Sequence, residues 1–479
     1  MRAPASPAGY REVLRVAWPL MINTGSFTVM LFADRIFLSW YSSEAIRAAL
    51  PAGILCFSLT SGFMAIAAFT NVFVAQYFGA GDRAGCSRAT AQGIWFSLLC
   101  WPLLLALIPA GKWFLRLAAH PPEVLVLEEQ YLTIILWGGI TTLLGAAVGG
   151  FFTGLGRTRV TMATNVLGNA CNLVLDYGLI FGKWGLPEMG IRGAAIGTVV
   201  AHAISPALLL ALYFGRRCRD SYATHRHWRL DRALFARLLR FGFPSGVHIA
   251  LDVSAFTVFV MLTGAYPPAQ HAASNIAISI NSLAFMPLIG LGIAASTLVG
   301  QYQGRRRADL ARRSARNAFR LGFFYMCACA ALFLLLPETL FAAFTARSDM
   351  ALEEILPVGR RLLWVMAAWG QADNASLVLG SALKGAGDTR FVMICSLLAA
   401  WGLLVPGQLL LVRVWQAPLL LSWIWTALFI ALLGSAFWLR YRGRNWLMID
   451  LLGRGTPLPP GDPLPNPTLL IADPPRSGG

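Results

Sequence analysis

Val74-Ala75-Gln76-Tyr77-Phe78-Gly79 returns as Val299-Gly300-Gln301-Tyr302-Gln303-Gly304, 225 positions further along the chain. Trp18-Pro19 opens one apolar run and Phe243-Pro244 opens another at the same offset. Gly154-Leu155-Gly156-Arg157-Thr158-Arg159 is answered by Gly385-Ala386-Gly387-Asp388-Thr389-Arg390, 231 positions later. Three matches in one order, at nearly one spacing, mark a duplicated unit. The chain around them is 57% hydrophobic and 13% charged, with a mean hydropathy of +0.61. Soluble domains do not show that composition. Apolar runs recur from end to end, each of roughly the 20 residues needed to cross about 30 Å of hydrocarbon. Twelve are read, centred on 18–40, 48–78, 90–112, 131–154, 160–182, 190–214, 242–265, 271–302, 319–344, 360–383, 391–412 and 419–439. A barrel would show short alternating strands instead. The prediction is an all-α membrane protein with twelve transmembrane helices in two six-helix repeats. Six is even, so both repeats enter and leave on one side, related by a pseudo-two-fold axis along the membrane normal. In an apolar chain such a duplication points to a transporter that rocks one half against the other.

The formal charge of +17 sits between spans rather than in a nucleic-acid motif. With the N-terminus inside, 29 of the 39 Lys and Arg residues fall on the cytoplasmic side, most of them in the 216–240 loop and the Arg305–Arg320 stretch. That positive-inside bias places both termini in the cytoplasm and predicts contact with anionic membrane lipids. The first run is too long for a cleavable signal peptide and lacks a small-residue cleavage site. The organisation expected is an N-terminal lobe over 1–215, a cytoplasmic loop over 216–240, a C-terminal lobe over 241–445 and a disordered Pro-rich cytoplasmic tail over 446–479. The segment Asp231–Leu239 reads as a short interfacial helix. Eight cysteines, mostly inside apolar runs, show no zinc spacing and no disulfide framework.

Four acids fall well inside spans: Asp34, Asp176, Asp252 and Asp373. Each costs about 2.5–3.5 kcal/mol at a helix centre on insertion scales, so each needs neighbours or a function that offsets it. Asn165, Asn172 and Asp176 share one face of the fifth span, with Asn169 close by. With Asp34 from the first span and Thr198 from the sixth, they form an oxygen-rich nest in the N-terminal half. His248 and Asp252 share a face of the seventh span, where the imidazole can tune the acid. Gln371, Asp373 and Asn374 cluster after Gly370, whose flexibility is expected to free a backbone carbonyl. Asn275 and Asn281 of the eighth span are expected to complete this second nest. The acids are not copied between repeats: Asp34 lies 15 residues after Pro19, Asp252 only 8 after Pro244. The backbone was duplicated and the chemistry was not.

The stretch Gln270-His271…Ile280-Asn281-Ser282-Leu283-Ala284-Phe285-Met286-Pro287…Val299-Gly300-Gln301 resembles the eighth segment of the multidrug and toxic compound extrusion (MATE) transporters of the NorM-like kind. Phe152-Thr153-Gly154-Leu155-Gly156-Arg157-Thr158-Arg159, Asn172-Leu173-Val174-Leu175-Asp176 and Gly190-Ile191-Arg192-Gly193-Ala194-Ala195-Ile196 are similar to that family as well, and the likeness covers about 10–445. The resemblance implies cation-coupled efflux of amphipathic organic cations from a bacterial cytoplasmic membrane, by a monomer that needs no cofactor beyond a coupling ion, Na+ or H+. It places Asp34, Asn172 and Asp176 at the family's N-lobe proton or cation site, Asp252 at its seventh-segment acid and Asp373 at its tenth-segment acid. Na+ at Asp252 and Asp373 is the modestly favoured coupling. Two departures stand out: Asp252 is one methylene shorter than the Glu common there, and Arg35 follows Asp34 where a small polar residue is common. A flippase or exporter for lipid-linked saccharides, of the same superfamily, is the alternative; its cavity would carry several Arg or Lys, whereas the mid-span charges here are mostly acids. Gly385-Ala386-Gly387-Asp388 matches the pattern of intramembrane aspartyl proteases, but Gly79-Ala80-Gly81-Asp82 occupies a similar basic turn, and tight turns explain both. No enzyme is expected.

Overall fold

A computed structural model of the chain describes residues 7–117, 120–345 and 352–453. The main helices in chain order are α1 (Tyr10–Tyr41), α2 (Ser43–Gly79), α3 (Arg83–Ala106), α4 (Pro122–Gly154), α5 (Thr158–Phe181), α6 (Ile191–Phe214), α7 (Arg232–Thr263), α8 (Pro268–Gly304), α9 (Ala308–Leu335), α10 (Leu352–Asn374), α11 (Thr389–Val414) and α12 (Leu419–Arg442). Among the described residues there is no strand. Ten of the twelve are long and apolar enough to cross a membrane. The two that fall short on composition are α5 and α10, the helices that carry Asp176 and Asp373. Their polar residues lower the apolar signal where chemistry is concentrated.

Short polar side chains start several helices. Ser42 accepts from the backbone N–H of Ala45 at 2.9 Å, Asp82 from Gly85 at 2.7 Å, and Asp231 from Ala233 and Leu234 at 3.1 Å each. Such caps satisfy donors that the first turn cannot pair internally. The Asp231 cap has a consequence for the loop expected over 216–240. Arg216–Tyr222 is a short helix, and 232–240 is the first part of α7 rather than a separate interfacial helix. Leu234 and Leu238 are buried in the core beside Tyr77, Phe151 and Tyr222, so the apolar residues read as membrane-facing pack inward.

The tail also begins later than expected. Asn445–Met448 forms a 3-10 turn, Trp446 is fully buried, and Leu451 and Leu452 join the core of the N-terminal half. Gln303 Nε2 donates to the carbonyls of Trp446 and Leu447, and the Arg237 guanidinium donates to that of Leu452. Residues 446–453 are thus packed structure, and the rest of the expected tail, 454–479, lies outside the described residues. A second expectation moves by five residues. Gly370 stays helical against Met326, and the irregular turn is a π-helical stretch, Ala375–Leu379, between α10 and the helix Gly380–Ala386. π turns release carbonyls from the regular ladder.

The duplicated motifs meet one another. α1 lies against α8 as α7 lies against α2, and the end of α2 crosses α8. Gln76 Nε2 donates to the Gly385 carbonyl at 3.1 Å, and its repeat counterpart Gln301 donates to the Gly154 carbonyl at 2.8 Å. Asn71 and Thr297 pair through their side chains at 3.1 Å. A Cβ on Gly79 would sit 1.9 Å from the Gln301 carbonyl oxygen, and one on Gly304 would sit 2.0 Å from that of Gln76. Only glycine permits so close a backbone crossing. The repeat that announces the fold is therefore the clamp that joins the halves at the Arg-rich end.

Candidate functional site

The inter-half hydrogen bonds of the described residues run from that end to Thr24 Oγ1, which donates to the Met286 carbonyl at 2.8 Å. Asp34 lies ten residues past Thr24 on α1, about 15 Å along the axis. Asp34 thus lies beyond the closure, toward the opposite side.

In the N-terminal half the expected residues come together. Asn172 and Asp176 are fully buried on one face of α5, and Asn172 Nδ2 donates to Asp176 Oδ2 at 3.1 Å. Asp34 of α1 is half-buried, and its carboxyl is in hydrogen-bonding contact with that of Asp176. Two carboxyl groups approach so closely only around a positive charge, a proton or a cation. Gly197 makes room: a Cβ there would fall 2.0 Å from Asp176 Oδ1. Thr198, next in α6, is buried and donates to the Ala194 carbonyl at 2.8 Å, which leaves its oxygen lone pairs to face outward from that bond. Asp34 Oδ1, Asp176 Oδ1 and Asn172 Oδ1 are buried with no hydrogen-bond donor supplied to them. A cluster of acceptors without donors favours a positive charge, a proton or a cation, since buried oxygens left unpaired are costly. The other polar residues of α5 hold neighbours: Asn169 donates to Ser26 at 2.9 Å, and Asn165 bonds Ser205. Arg35 is exposed and makes no ion pair with Asp34.

In the C-terminal half the expected group is dispersed. His248 Nε2 meets Asp252 Oδ2 at 3.2 Å, with the Asp252 side chain 34% exposed and His248 nearly sealed. The next charged neighbour of both is Lys384, from the helix after the π turn. Asp373 is buried with no charged neighbour, and no contact joins it to Asp252. Asn374 is fully buried, donates to the Phe319 carbonyl at 3.1 Å and presses its oxygen against Gly322. Gln371 turns to α9, where it donates to the Phe323 carbonyl and to Cys327 Sγ, each at 3.3 Å. Two residues apart on a helix is roughly 200°, so Gln371 and Asp373 diverge. Asn275 is exposed and pairs with His271 of its own helix at 3.1 Å. Asn281 is half-buried on α8 and has no side-chain hydrogen bond to any of these residues. The residues expected to form one nest, and to offer Na+ to Asp252 and Asp373 jointly, do not converge here, because single-helix spacing carries no information on how helices rotate against one another.

Two residues near these groups escaped the sequence reading. Tyr131 of α4 lies within electrostatic range of both Asp34 and Asp176. Its only signal was its place in a span, shared with many aromatics. Lys384 had a better one: the chain holds just three lysines, at 112, 183 and 384, and its repeat counterpart is the neutral Thr153. Among the described residues no group of three or more His, Cys, Asp or Glu could hold a metal ion.

A family model described as MatE matches residues 19–178 and 244–410. "Probable multidrug resistance protein NorM" of Pseudomonas putida is 30% identical over 462 residues, covering 93% of this chain and 96% of that protein. "Multidrug resistance protein PmpM" of Pseudomonas aeruginosa is 30% identical over 465 residues, covering 92% and 94%. "Probable multidrug resistance protein NorM" of Thermotoga maritima is 27% identical over 421 residues, covering 86% and 88%. Among solved structures, an outward-facing multidrug resistance MATE family transporter of the MOP superfamily superposes with a TM-score of 0.80 at 20% identity, covering 91% of this chain and 96% of that one. A MOP superfamily transporter from Pyrococcus furiosus superposes at 0.81, also at 20% identity and with the same coverage.

Proposed function

The chain belongs to the MatE family of multidrug transporters, and from that premise we propose that it exports amphipathic organic cations by proton antiport, with Asp34 and Asp176 as the coupling site. The contact between these two carboxyls, one half-buried and one sealed, with donor-free oxygens around them, is the observation that carries the reading. The three relatives compared by sequence are bacterial, and the positive-inside bias supports a cytoplasmic-membrane location with both termini inside.

The halves are clamped at the Arg-rich end and, among the described residues, free of inter-half hydrogen bonds beyond Thr24, which supports access from outside in this state. A proton arriving from outside meets Asp34 first, because Asp34 is half-buried and Asp176 is sealed behind it. Neutralising the pair removes the negative charge that would hold a cationic cargo on the N-terminal side. Cargo release and rearrangement of α1 then follow from a loss of attraction rather than from mechanical force. Each unit charge moving down the potential supplies about 2.3 kcal/mol per 100 mV. Asp252, one third exposed beside His248, supplies a second anionic contact for cargo. Asn172 holds Asp176 in place through its donated hydrogen bond, and neither it nor Thr198 beside the pair needs a charge change of its own.

Sodium would require several oxygens converging on one ion. Asp252 and Asp373 do not converge, which weakens sodium coupling in the C-terminal half; the N-terminal oxygens remain a site for it. Proteoliposomes with separately imposed pH and sodium gradients separate the two. The expected result is ethidium efflux driven by the pH gradient alone and abolished in Asp176→Asn. Efflux driven by sodium at fixed pH would overturn the proton assignment, and transport of a lipid-linked saccharide in place of ethidium would favour the flippase reading.

A further inference from the structure

We propose that the groove at the cytoplasmic ends of α7–α11 and the repeat-related surface at those of α1–α5 each bind one anionic phospholipid, headgroup between paired arginines and acyl chains along the apolar surface below. The α7–α11 groove has a volume of about 500 Å³ and is lined by Arg240, Arg390, Phe243, Pro244, Met393 and Ile394. Its upper rim carries two guanidiniums. Its floor is exposed aromatic and aliphatic surface, with Phe243 59% and Ile394 49% exposed. Among the described residues neither arginine has an acid partner: Asp388, beside Arg390, is already held by Arg440 at 2.7 Å. The Arg240 guanidinium carbon lies over the Phe241 ring, 5.9 Å from its centre. A pair of cations without acid partners among the described residues, above exposed apolar surface at the Arg-rich end of two spans, is complementary to a phosphate with hydrocarbon below it.

The duplication supplies an independent observation. Leu239-Arg240…Phe243-Pro244 repeats Leu14-Arg15…Trp18-Pro19 at 225 residues, and Thr389-Arg390…Met393 repeats Thr158-Arg159…Met162 at 231. α1 packs on α5 as α7 packs on α11. Arg15, Arg159 and Trp18 are exposed like their counterparts, and among the described residues no acid pairs with either arginine. The buried acids diverged between the halves while this arginine–aromatic–proline pattern stayed in register. The groove and its repeat-related surface lie at α7 and α1, the helices that cross the seam.

Native mass spectrometry of the full chain in detergent, with added phosphatidylglycerol or phosphatidylcholine of matched acyl chains, tests this. Two phosphatidylglycerol molecules should be retained, each about tenfold or more tighter than phosphatidylcholine. Arg240→Gln with Arg390→Gln should lose one of them, Arg15→Gln with Arg159→Gln the other. The matching Lys variants should restore retention, which separates loss of charge from misfolding. Equal retention of the two lipids, or undiminished phosphatidylglycerol on the four-Gln variant, would overturn the proposal. Displacement by millimolar inorganic phosphate would also overturn it, since the site would then take a free anion.

Discussion

The two halves share a backbone and differ in what they bury. Between α1 and α5 the N-terminal half gathers Asp34, Asn172 and Asp176 into one cluster of oxygens. In the C-terminal half Asp252 pairs with His248 on α7, and Asp373 sits alone before a π turn. The positions matching His248 and Asp252 in the first half are Asn23 and Phe27, neither of them charged. What was kept identical is the hardware of closure: Gln76 and Gln301, Gly79 and Gly304. The difference teaches that the moving parts of this fold must match, because they close on each other. The ionisable groups need not match, because one half can carry the coupling ion while the other serves cargo.

The largest effect is expected where that asymmetry is sharpest. Asp176→Asn should reduce pH-driven ethidium efflux in proteoliposomes to background, since a buried amide cannot exchange the proton. Asp373→Asn should slow transport and leave its response to the pH gradient intact. Equal abolition by both, with both proteins folded in the membrane, would erase the functional distinction between the halves.

The clamp should behave in the opposite way, with equal effects in both halves. Gly79→Ala and Gly304→Ala each place a methyl about 2 Å from a facing carbonyl oxygen, and overpacking of this kind costs roughly 1–3 kcal/mol. Each should shift the protein away from the closed state and cut the maximal efflux rate several-fold or more. Smaller shifts are expected from Gln76→Ala and Gln301→Ala. Each removes one hydrogen bond of about 1 kcal/mol, roughly a fivefold change in the equilibrium. Spin labels at the exposed positions Arg83 and Arg313 would report the widening at the Arg-rich end. If one glycine or one glutamine proved dispensable and its counterpart did not, the symmetry of the closure would fail.

The sequence made the helices and the repeat legible because hydrophobic length and motif spacing are local properties. Twelve runs became twelve helices, and the polar stripe Asn172–Asp176 kept its shared face on α5. Asp34 was placed correctly beside it only through the family resemblance and its position in a span. The C-terminal nest failed for a physical reason: Asp252, Asp373 and Asn275 lie on three helices whose rotation is set by packing of whole surfaces. The clamp was visible as a motif and invisible as a contact, since nothing in Val74–Gly79 says that its partner is its own copy. Arg237 and Gln303, which hold residues 446–453, were likewise unreadable, because they bond to backbone carbonyls that every sequence has.

The smallest expected effect concerns His248. Its imidazole is nearly sealed and meets Asp252 at 3.2 Å. His248→Gln keeps a donor of similar reach, so the carboxylate retains its partner and its orientation. If Asp252 serves cargo and the ion is handled across the seam by Asp34 and Asp176, this variant should raise the KM for ethidium by about threefold or less, the scale of one neutral hydrogen bond imperfectly replaced. The dependence of the rate on the imposed pH gradient should stay as in the parent protein. His248→Leu should raise KM further, since it leaves Asp252 without a donor, again with the gradient dependence preserved. Measuring initial efflux rates against ethidium concentration at several fixed gradients separates the two parameters. A His248→Gln protein whose gradient dependence collapsed while KM held would move proton handling into the C-terminal half, and the division of labour drawn from the Asp34–Asp176 contact would no longer stand.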